Sequence, residues 1–198
     1  MNIWQFTSVI LALGLYVPLA VQILRGSVKQ NLATFVLWGL LDGIAGASLY
    51  VQGGNYQLPF AYVSGCMLTI GCILKSRTFS WTSFETKVSF LVVVSIVAWM
   101  VSGPYMATIF STTAVVLAGI PQVKDSWKNP EDSPFMLYIG YTVANLLSTI
   151  GGMTWTVEER LYPFSCFLLC LVLVGVTSRK YQTVLAELQD DQVGWRPD

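Results

Sequence analysis

The feature that most constrains this chain is a series of apolar stretches, each about as long as an α-helix needs to be to cross a lipid bilayer. Seven such stretches occur, and the charged residues fall almost entirely between them. Their predicted limits are 3–24, 32–51, 58–75, 87–103, 105–123, 134–154 and 161–178. The turn signal SGPY separates the fourth stretch from the fifth. The sequence therefore predicts an all-α integral membrane protein with seven transmembrane helices.

The composition agrees with a membrane domain and argues against several other classes. Of the 198 residues, 54% are hydrophobic and 11% are charged, against about 25% charged residues in soluble domains. The net charge is zero, which offers no attraction to a nucleic acid. Histidine is absent, and it is the commonest metal ligand and general base. With no nucleophile or phosphate-binding motif either, we expect no enzyme, no cofactor and no metal site.

Lysine and arginine indicate the orientation, because short cytoplasmic loops of membrane proteins are enriched in them. With seven spans, ten of the eleven basic residues fall on one side of the membrane, and only Arg160 falls on the other. The ten are Arg25, Lys29, Lys75, Arg77, Lys87, Lys124, Lys128, Arg179, Lys180 and Arg196. This predicts an N-terminus that is outside or lumenal and a cytosolic C-terminus. Whether the membrane is a plasma or inner membrane or that of an organelle stays open.

The first three stretches and the last three repeat one pattern. An offset of 103 or 104 residues pairs prolines, cysteines and other residues at matching depths. The pairs are Pro18 with Pro121, Trp38 with Tyr141, Asp42 with Asn145, Pro59-Phe60 with Pro163-Phe164, Cys66 with Cys170, Gly71 with Gly175, and Lys75 with Arg179. We predict two parallel three-helix repeats joined by a linker helix, because an odd helix must restore the direction of the chain. The predicted segments are 1–78, the linker 79–104, 105–180 and a cytosolic tail 181–198.

Two prolines interrupt equivalent helices near the predicted cytosolic side. Proline removes a backbone hydrogen bond and kinks its helix, and the freed carbonyl needs a partner inside a membrane. Pro18 and Pro121 are predicted hinge residues, together with Gln122. Gln122 and Gln22 are candidates for satisfying the backbone groups that the two prolines free. The alternative is a static kink that only shapes the bundle.

Proline followed by glutamine at the inner end of a helix, with a short basic loop after it, resembles the PQ-loop family. The second copy here is IPQVKDSWKNPEDSP, and the first, VPLAVQILRGSVKQN, has Leu19 where glutamine is usual. FVLWGLLDGIAG is similar to the second helix of the lysosomal amino-acid branch. That family includes the SWEET sugar transporters, cystinosin and the KDEL receptor. The resemblance extends to about residue 180 and implies a three-plus-one-plus-three architecture with alternating access.

Asp42 is the one ionisable residue well inside a predicted span. It follows Leu32 by ten positions, which places it about 15 Å deep in a core about 30 Å thick. Ionisable residues at this depth are expensive and usually functional. We predict that Asp42 binds substrate and couples protons, with Asn145 as its partner in the other repeat. The alternative is a protonated Asp42 that only hydrogen-bonds between helices.

Trp38 and Tyr141 each precede a polar residue of that pair by four positions, so each shares a helix face with it. Aromatic faces beside hydrogen-bonding groups suit a sugar ring or an organic cation, and packing is the alternative.

Other residues are weaker candidates or are expected to have structural or solvated roles. Ser64, Thr69 and Ser165 are candidate cavity residues; Gly39, Gly43 and Gly46 are assigned to helix packing; the four cysteines are assigned to the interior; Glu158, Glu159, Asp125, Glu131 and Asp132 are expected to be solvated.

These features together predict a secondary transporter that moves a small polar solute, a sugar or an amino acid, by alternating access. Proton coupling through Asp42 stays open, as does homo-oligomerisation. The expected partners are the substrate and the lipid bilayer. The alternative is a receptor or assembly protein that uses the same bundle without transport. A receptor for a peptide terminus would need basic residues inside its spans, and the predicted spans have none apart from those at their ends.

Overall fold

The computed structural model describes residues 1–26, 31–76, 81–130 and 133–179. These residues form six helices, and no strand occurs among them. The helices are α1 (Ile3–Leu24), α2 (Leu32–Val51), α3 (Gln57–Ser76), α4 (Ser83–Lys128), α5 (Phe135–Ile150) and α6 (Val157–Thr177). Five of them, all except α5, are long and apolar enough to cross a membrane. Their length and composition indicate a multi-pass membrane protein.

The fourth and fifth predicted spans, 87–103 and 105–123, join into one helix, α4, which has 46 residues. Gly103 interrupts it with backbone angles of φ 81° and ψ −176°, which lie outside the helical region. Glycine adopts a positive φ without steric cost, and the proline after it cannot donate a hydrogen bond to the preceding turn. The predicted turn between two helices is therefore a single residue. We call 83–102 the first arm of α4 and 104–128 its second arm.

The sixth predicted span, 134–154, is too long at its C-terminal end. Helix α5 has 16 residues and ends at Ile150, so it extends about 24 Å, less than the bilayer core of about 30 Å. The guanidinium of Arg160 donates to the carbonyl of Thr149 at 2.6 Å and to that of Gly152 at 2.7 Å. The carbonyl of Thr149 would have accepted from the next helical turn, so the first of these bonds competes with an extension of α5.

Some predictions fall outside the described residues. The tail 181–198 is one, and the boundary between 78 and 79 is another. Lys29, Arg77, Lys180, Arg196, Glu131 and Asp132 also lie outside them.

The helices pack in the same order within each group of three. Helix α3 packs against both α1 and α2, and α6 packs against both α4 and α5. The two groups meet where α1 contacts α5 and where α2 contacts α4. We call α3 and α6 the middle helices and the other four the outer helices. Each outer helix of one group contacts an outer helix of the other group.

Two contacts occur twice, between residues related by the offset of 103 or 104. Gly65 lies so close to Tyr16 that a side chain at Gly65 would overlap the tyrosine ring. At the equivalent place, Gly119 lies against Leu169 in the same way. The second contact joins Ser48 to Thr108 through their hydroxyls, 2.9 Å apart, and its equivalent brings Gly151 against Gln5. The two groups therefore use matching positions to make matching contacts.

Polarity is distributed in the way expected of a membrane protein. Large apolar side chains such as Phe90, Met100 and Val101 are mostly exposed, whereas Ser8, Thr108 and other polar residues are fully buried. Exposed apolar surface on this scale marks an interaction with lipid or protein. The polar groups of the chain are thus concentrated along its interior, where a site can form.

Candidate functional site

A cavity of about 960 Å³ is lined by residues of all six helices. Among its lining residues, Asp125 and Met136 are exposed, so the cavity opens where α4 ends and α5 begins. Arg25, Lys124 and Lys128 lie at the same end of the bundle, which we call the basic end. The sequence predicted a polar pocket, and the structure shows that it is accessible from this end.

The cavity stops about halfway along the helices. Its lining begins at Leu15 in α1 and reaches only to Asp42 in α2 and to Asn145 in α5. Tyr62 of α3 and Tyr162 of α6 complete this inner limit, which we call the blind end. The predicted pair, Asp42 and Asn145, therefore lines the deepest part of one cavity.

Asp42 is 6% exposed and is held by one hydrogen bond. The hydroxyl of Tyr162, which is itself fully buried, donates to Oδ1 of Asp42 at 2.6 Å. Its second oxygen, Oδ2, takes no hydrogen bond from a residue of the described ranges. A buried carboxyl with one satisfied oxygen and one spare acceptor can bind a ligand or a proton.

Asn145 is 1% exposed, and its amide orientation is defined by its partners. Its Nδ2 donates to the backbone carbonyl of Tyr141 at 2.8 Å and to the hydroxyl of Tyr62 at 2.7 Å. Because a carbonyl can only accept, the nitrogen must face Tyr141. The other amide atom, Oδ1, is buried and has no hydrogen-bond partner within the described ranges. An unpaired buried acceptor costs about 1–3 kcal/mol, so a ligand that donates to it would recover that cost.

The two predicted aromatic residues both line the cavity and also pack against neighbours. Tyr141 makes edge contacts with Tyr16 at a ring distance of 5.9 Å and with Tyr62 at 5.8 Å. Trp38 packs against Phe35 at 5.8 Å, and its Nε1 is buried without a partner in the described part of the chain. Packing and ligand contact were alternatives in the sequence, and the geometry is compatible with both at once.

Sequence reasoning missed three tyrosines that surround the site: Tyr16, Tyr62 and Tyr162. Each is at most 7% exposed. A signal was present, because Tyr62 precedes Cys66 by four positions and Tyr162 precedes Cys166 by four, and these cysteines also line the cavity. All four cysteines are free, and Cys170 is also a lining residue.

The predicted hinge residues lie nearer the basic end. Pro18 and Pro121 line the cavity within continuous helices. Gln122 donates from Nε2 to the hydroxyl of Tyr138 at 2.8 Å, which ties α4 to α5. Gln22 is a lining residue as well.

The weaker candidates for the cavity were wrong. Ser64, Thr69 and Ser165 are not lining residues. Ser64 is exposed and donates to the carbonyl of Phe60, and Thr69 is buried and donates to the carbonyl of Gly65. A hydroxyl that bonds to its own helix is already satisfied, and spacing alone did not show this. The predicted solvation of Glu159 was also wrong, because it is 8% exposed and accepts from the backbone of Met153.

Beyond the blind end, two loops pack tightly against each other. Nδ2 of Asn55 donates to the carbonyls of Ser148 at 3.0 Å and Glu159 at 3.3 Å. The backbone nitrogen of Asn55 donates to the carbonyl of Glu158 at 3.0 Å. A side chain at Gly54 would overlap that same carbonyl. We call this region, 52–56 with 148–159, the closed end, because its buried residues seal the bundle opposite the basic end.

Neither the family models nor the curated proteins nor the solved structures with which the chain was compared include a match to it. The described residues also contain no group of three or more histidine, cysteine, aspartate or glutamate side chains able to hold a metal ion.

Proposed function

We propose that this protein is a secondary transporter that moves a small polar solute across a membrane by alternating access. The observation that carries the proposal is the one-sided cavity, which is open at the basic end and stops at Asp42 and Asn145. The closed end beyond them is sealed by the hydrogen bonds of Asn55. A transporter with its site near the midplane needs a cavity of this kind in each of its end states.

We further propose that the chain crosses the membrane seven times, in a three-plus-one-plus-three arrangement related to the PQ-loop family. Helix α4, with 46 residues, would be about 69 Å long, over twice the bilayer core of about 30 Å. Its break at Gly103 permits two crossings, the first of which is the linker helix. The matching contacts of Gly65 with Tyr16 and of Gly119 with Leu169 support the two repeats.

The basic end is proposed to face the cytosol. Arg160 donates to carbonyls of the closed end. The basic residues at helix ends on the opposite side are Arg25, Lys75, Lys124, Lys128 and Arg179. Positive residues collect on the cytoplasmic side. The conformation described here is then the inward-open state.

Transport requires the basic end to close while the closed end opens. Pro18 and Pro121 flank the cavity on the two equivalent helices, so bending at both would bring their inner ends together. Opening the other end must break the bonds of Asn55 to Ser148 and Glu159. A proton on Asp42 would remove the charge at the blind end, which is how proton movement would be coupled to the solute.

Flux measurements on reconstituted protein test the proposal. Proteoliposomes would be assayed with labelled sugars, amino acids and primary amines, with and without a pH gradient. We expect saturable uptake of at least one solute, and Asp42→Asn should lower it at least tenfold while the protein stays folded. Ser64→Ala is the matched control, because Ser64 is exposed and is not a lining residue of the cavity. Binding without flux of any solute would contradict transport and favour the receptor alternative.

The hinge is tested separately by Pro18→Ala and Pro121→Ala. Each restores the possibility of a backbone hydrogen bond that proline forbids. We expect slower flux with an unchanged or raised melting temperature, and similar effects at the two positions. Normal flux in both variants would show that the prolines only shape the bundle.

A further inference from the structure

We propose that the solute is a small organic amine, whose ammonium group is held by Asp42 and Asn145 and which carries no carboxylate. The inference rests on the proposed function and specifies the substrate class of the same cavity. It follows from two properties of the site: the sign of its charges and the balance of its hydrogen-bond donors and acceptors.

The charges of the cavity are all negative in the part of the chain that the structure describes. Asp42 and Asp125 are the charged lining residues there, and neither lysine nor arginine is among them. An anionic solute would be repelled by Asp42. A zwitterionic amino acid would bring a carboxylate that no cationic lining residue could pair. A neutral sugar would leave the buried carboxylate without a counter-charge, whereas an ammonium group supplies one.

Two oxygen atoms at the blind end are hydrogen-bond acceptors that receive no hydrogen bond from the described residues. Oδ1 of Asn145 is buried and has no partner among the residues that the structure describes. Oδ2 of Asp42 is also unused by the described residues, because the bond from Tyr162 goes to Oδ1. The Nδ2 donors of Asn145 are committed to Tyr141 and Tyr62. An ammonium group has three N–H donors and no acceptor, so it complements both spare oxygens.

The rings around these oxygens suit the same ligand. Tyr141 lies in edge contact with Tyr16 at a ring distance of 5.9 Å and with Tyr62 at 5.8 Å. Aromatic faces stabilise an adjacent organic cation and also contact an apolar carbon skeleton. Trp38 precedes Asp42 by four residues in α2 and lies nearer the basic end. Its Nε1 has no partner among the described residues. It would therefore meet a part of the solute behind the ammonium group.

A matched series of ligands with one skeleton tests the head group. Purified full-length protein in detergent would be titrated calorimetrically at neutral pH with phenethylamine, 2-phenylethanol, phenylalanine and phenethyltrimethylammonium. We expect phenethylamine to bind most tightly. The alcohol lacks the charge, phenylalanine adds an unpaired carboxylate, and the trimethylammonium compound lacks N–H donors. Each of these three should bind at least tenfold more weakly.

Two variants assign the effects to residues. Asp42→Asn should remove the preference for the amine over the alcohol. Asn145→Ala should reduce the preference for the amine over the trimethylammonium compound, while Ser64→Ala should change neither. The ligand series on the unmodified protein is decisive by itself if Asn145→Ala does not fold.

Equal or tighter binding of phenylalanine or of the alcohol would overturn the inference. Its failure can be told apart from failure of the proposed function. Flux of a sugar or an amino acid, with no binding of the amine, would leave a transporter with a different substrate. Selective binding of the amine without flux of any solute would keep the site and reject transport.

Discussion

The two groups of three helices make the same contacts with different side chains. In the first group the large residue is Tyr16 on the outer helix and the small one is Gly65 on the middle helix. In the second group the sizes are exchanged, with Gly119 on the outer helix and Leu169 on the middle one. Close packing at this position therefore occurs in both groups, while the residue that fills the space changes. Both large residues, Tyr16 and Leu169, line the cavity.

The central polar residues differ in a more consequential way. Asp42 accepts a hydrogen bond from Tyr162, whereas Asn145 must donate one to the carbonyl of Tyr141. A negative charge is therefore compatible with the first position and not with the second. The two groups share these packing contacts, and their chemistry is asymmetric.

The largest expected effect comes from filling the space of the packing glycines. Gly65→Ala should lower the free energy of unfolding by about 1–3 kcal/mol, as overpacking usually does. Tyr16 is 7% exposed and packed against Tyr141, so it cannot move easily. Gly119→Ala should cost less, because Leu169 is only half-buried and can change rotamer. Thermal unfolding in detergent measures both.

The control for this pair is Gly71→Ala in α3. A side chain there would meet nothing within 4 Å, and alanine favours the helix over glycine by up to about 1 kcal/mol. Equal losses at Gly65 and Gly119 would contradict the claimed difference between Tyr16 and Leu169.

Exchanging the polar residues should have unequal consequences. Asp42→Asn keeps an oxygen for Tyr162, so the melting temperature should stay close to that of the unmodified protein. Asn145→Asp places an oxygen against the carbonyl of Tyr141, and the lost bond should cost about 1–3 kcal/mol. At acidic pH the introduced carboxyl is protonated and can donate again, so the loss should shrink as the pH falls. Melting curves at acidic and neutral pH test this, and a loss independent of pH would argue against the assigned bond.

The smallest expected effect concerns the hydroxyl of Thr108, which links the two groups. It lies 2.9 Å from Oγ of Ser48 and accepts from Gln52 at 2.8 Å. Thr108→Val should cost about 0.5–1.5 kcal/mol, the usual net contribution of a hydrogen bond. The matched control is Thr113→Val, because Thr113 is exposed and bonds only to its own helix. Equal melting temperatures for the two variants would mean that the link contributes nothing.

Much of the architecture could be predicted because hydropathy acts locally. The first three spans agree with the helices to within one residue, since each is bounded by polar or charged residues, and the last span begins four residues after the start of α6. The break in α4 and the end of α5 could not be predicted in the same way. Gly103 breaks α4 without a loop, and Arg160, from the next helix, takes the carbonyl of Thr149 at the end of α5.

The site was predictable in its centre and not in its surroundings. Asp42 was identified because an ionisable group is costly in an apolar span, and Asn145 because it follows Asp42 by the repeat offset of 103 residues; both line the cavity. Tyr62 and Tyr162 were missed because a tyrosine in an apolar helix is unremarkable until its hydroxyl has a partner. Those partners come from residues 83 and 120 positions away in the sequence.

By itself, the sequence determined that this chain is a helical membrane protein and where most of its helices lie. It also determined which two polar residues line the deepest part of the cavity. Those properties depend on local hydrophobicity and on a constant offset between residues, both of which can be read along the chain. Only the tertiary structure decided that the cavity opens at the basic end, that Asn55 seals the opposite end and that Oδ1 of Asn145 has no partner in the described part of the chain. Each of these depends on contacts between distant helices, whose geometry hydropathy does not encode.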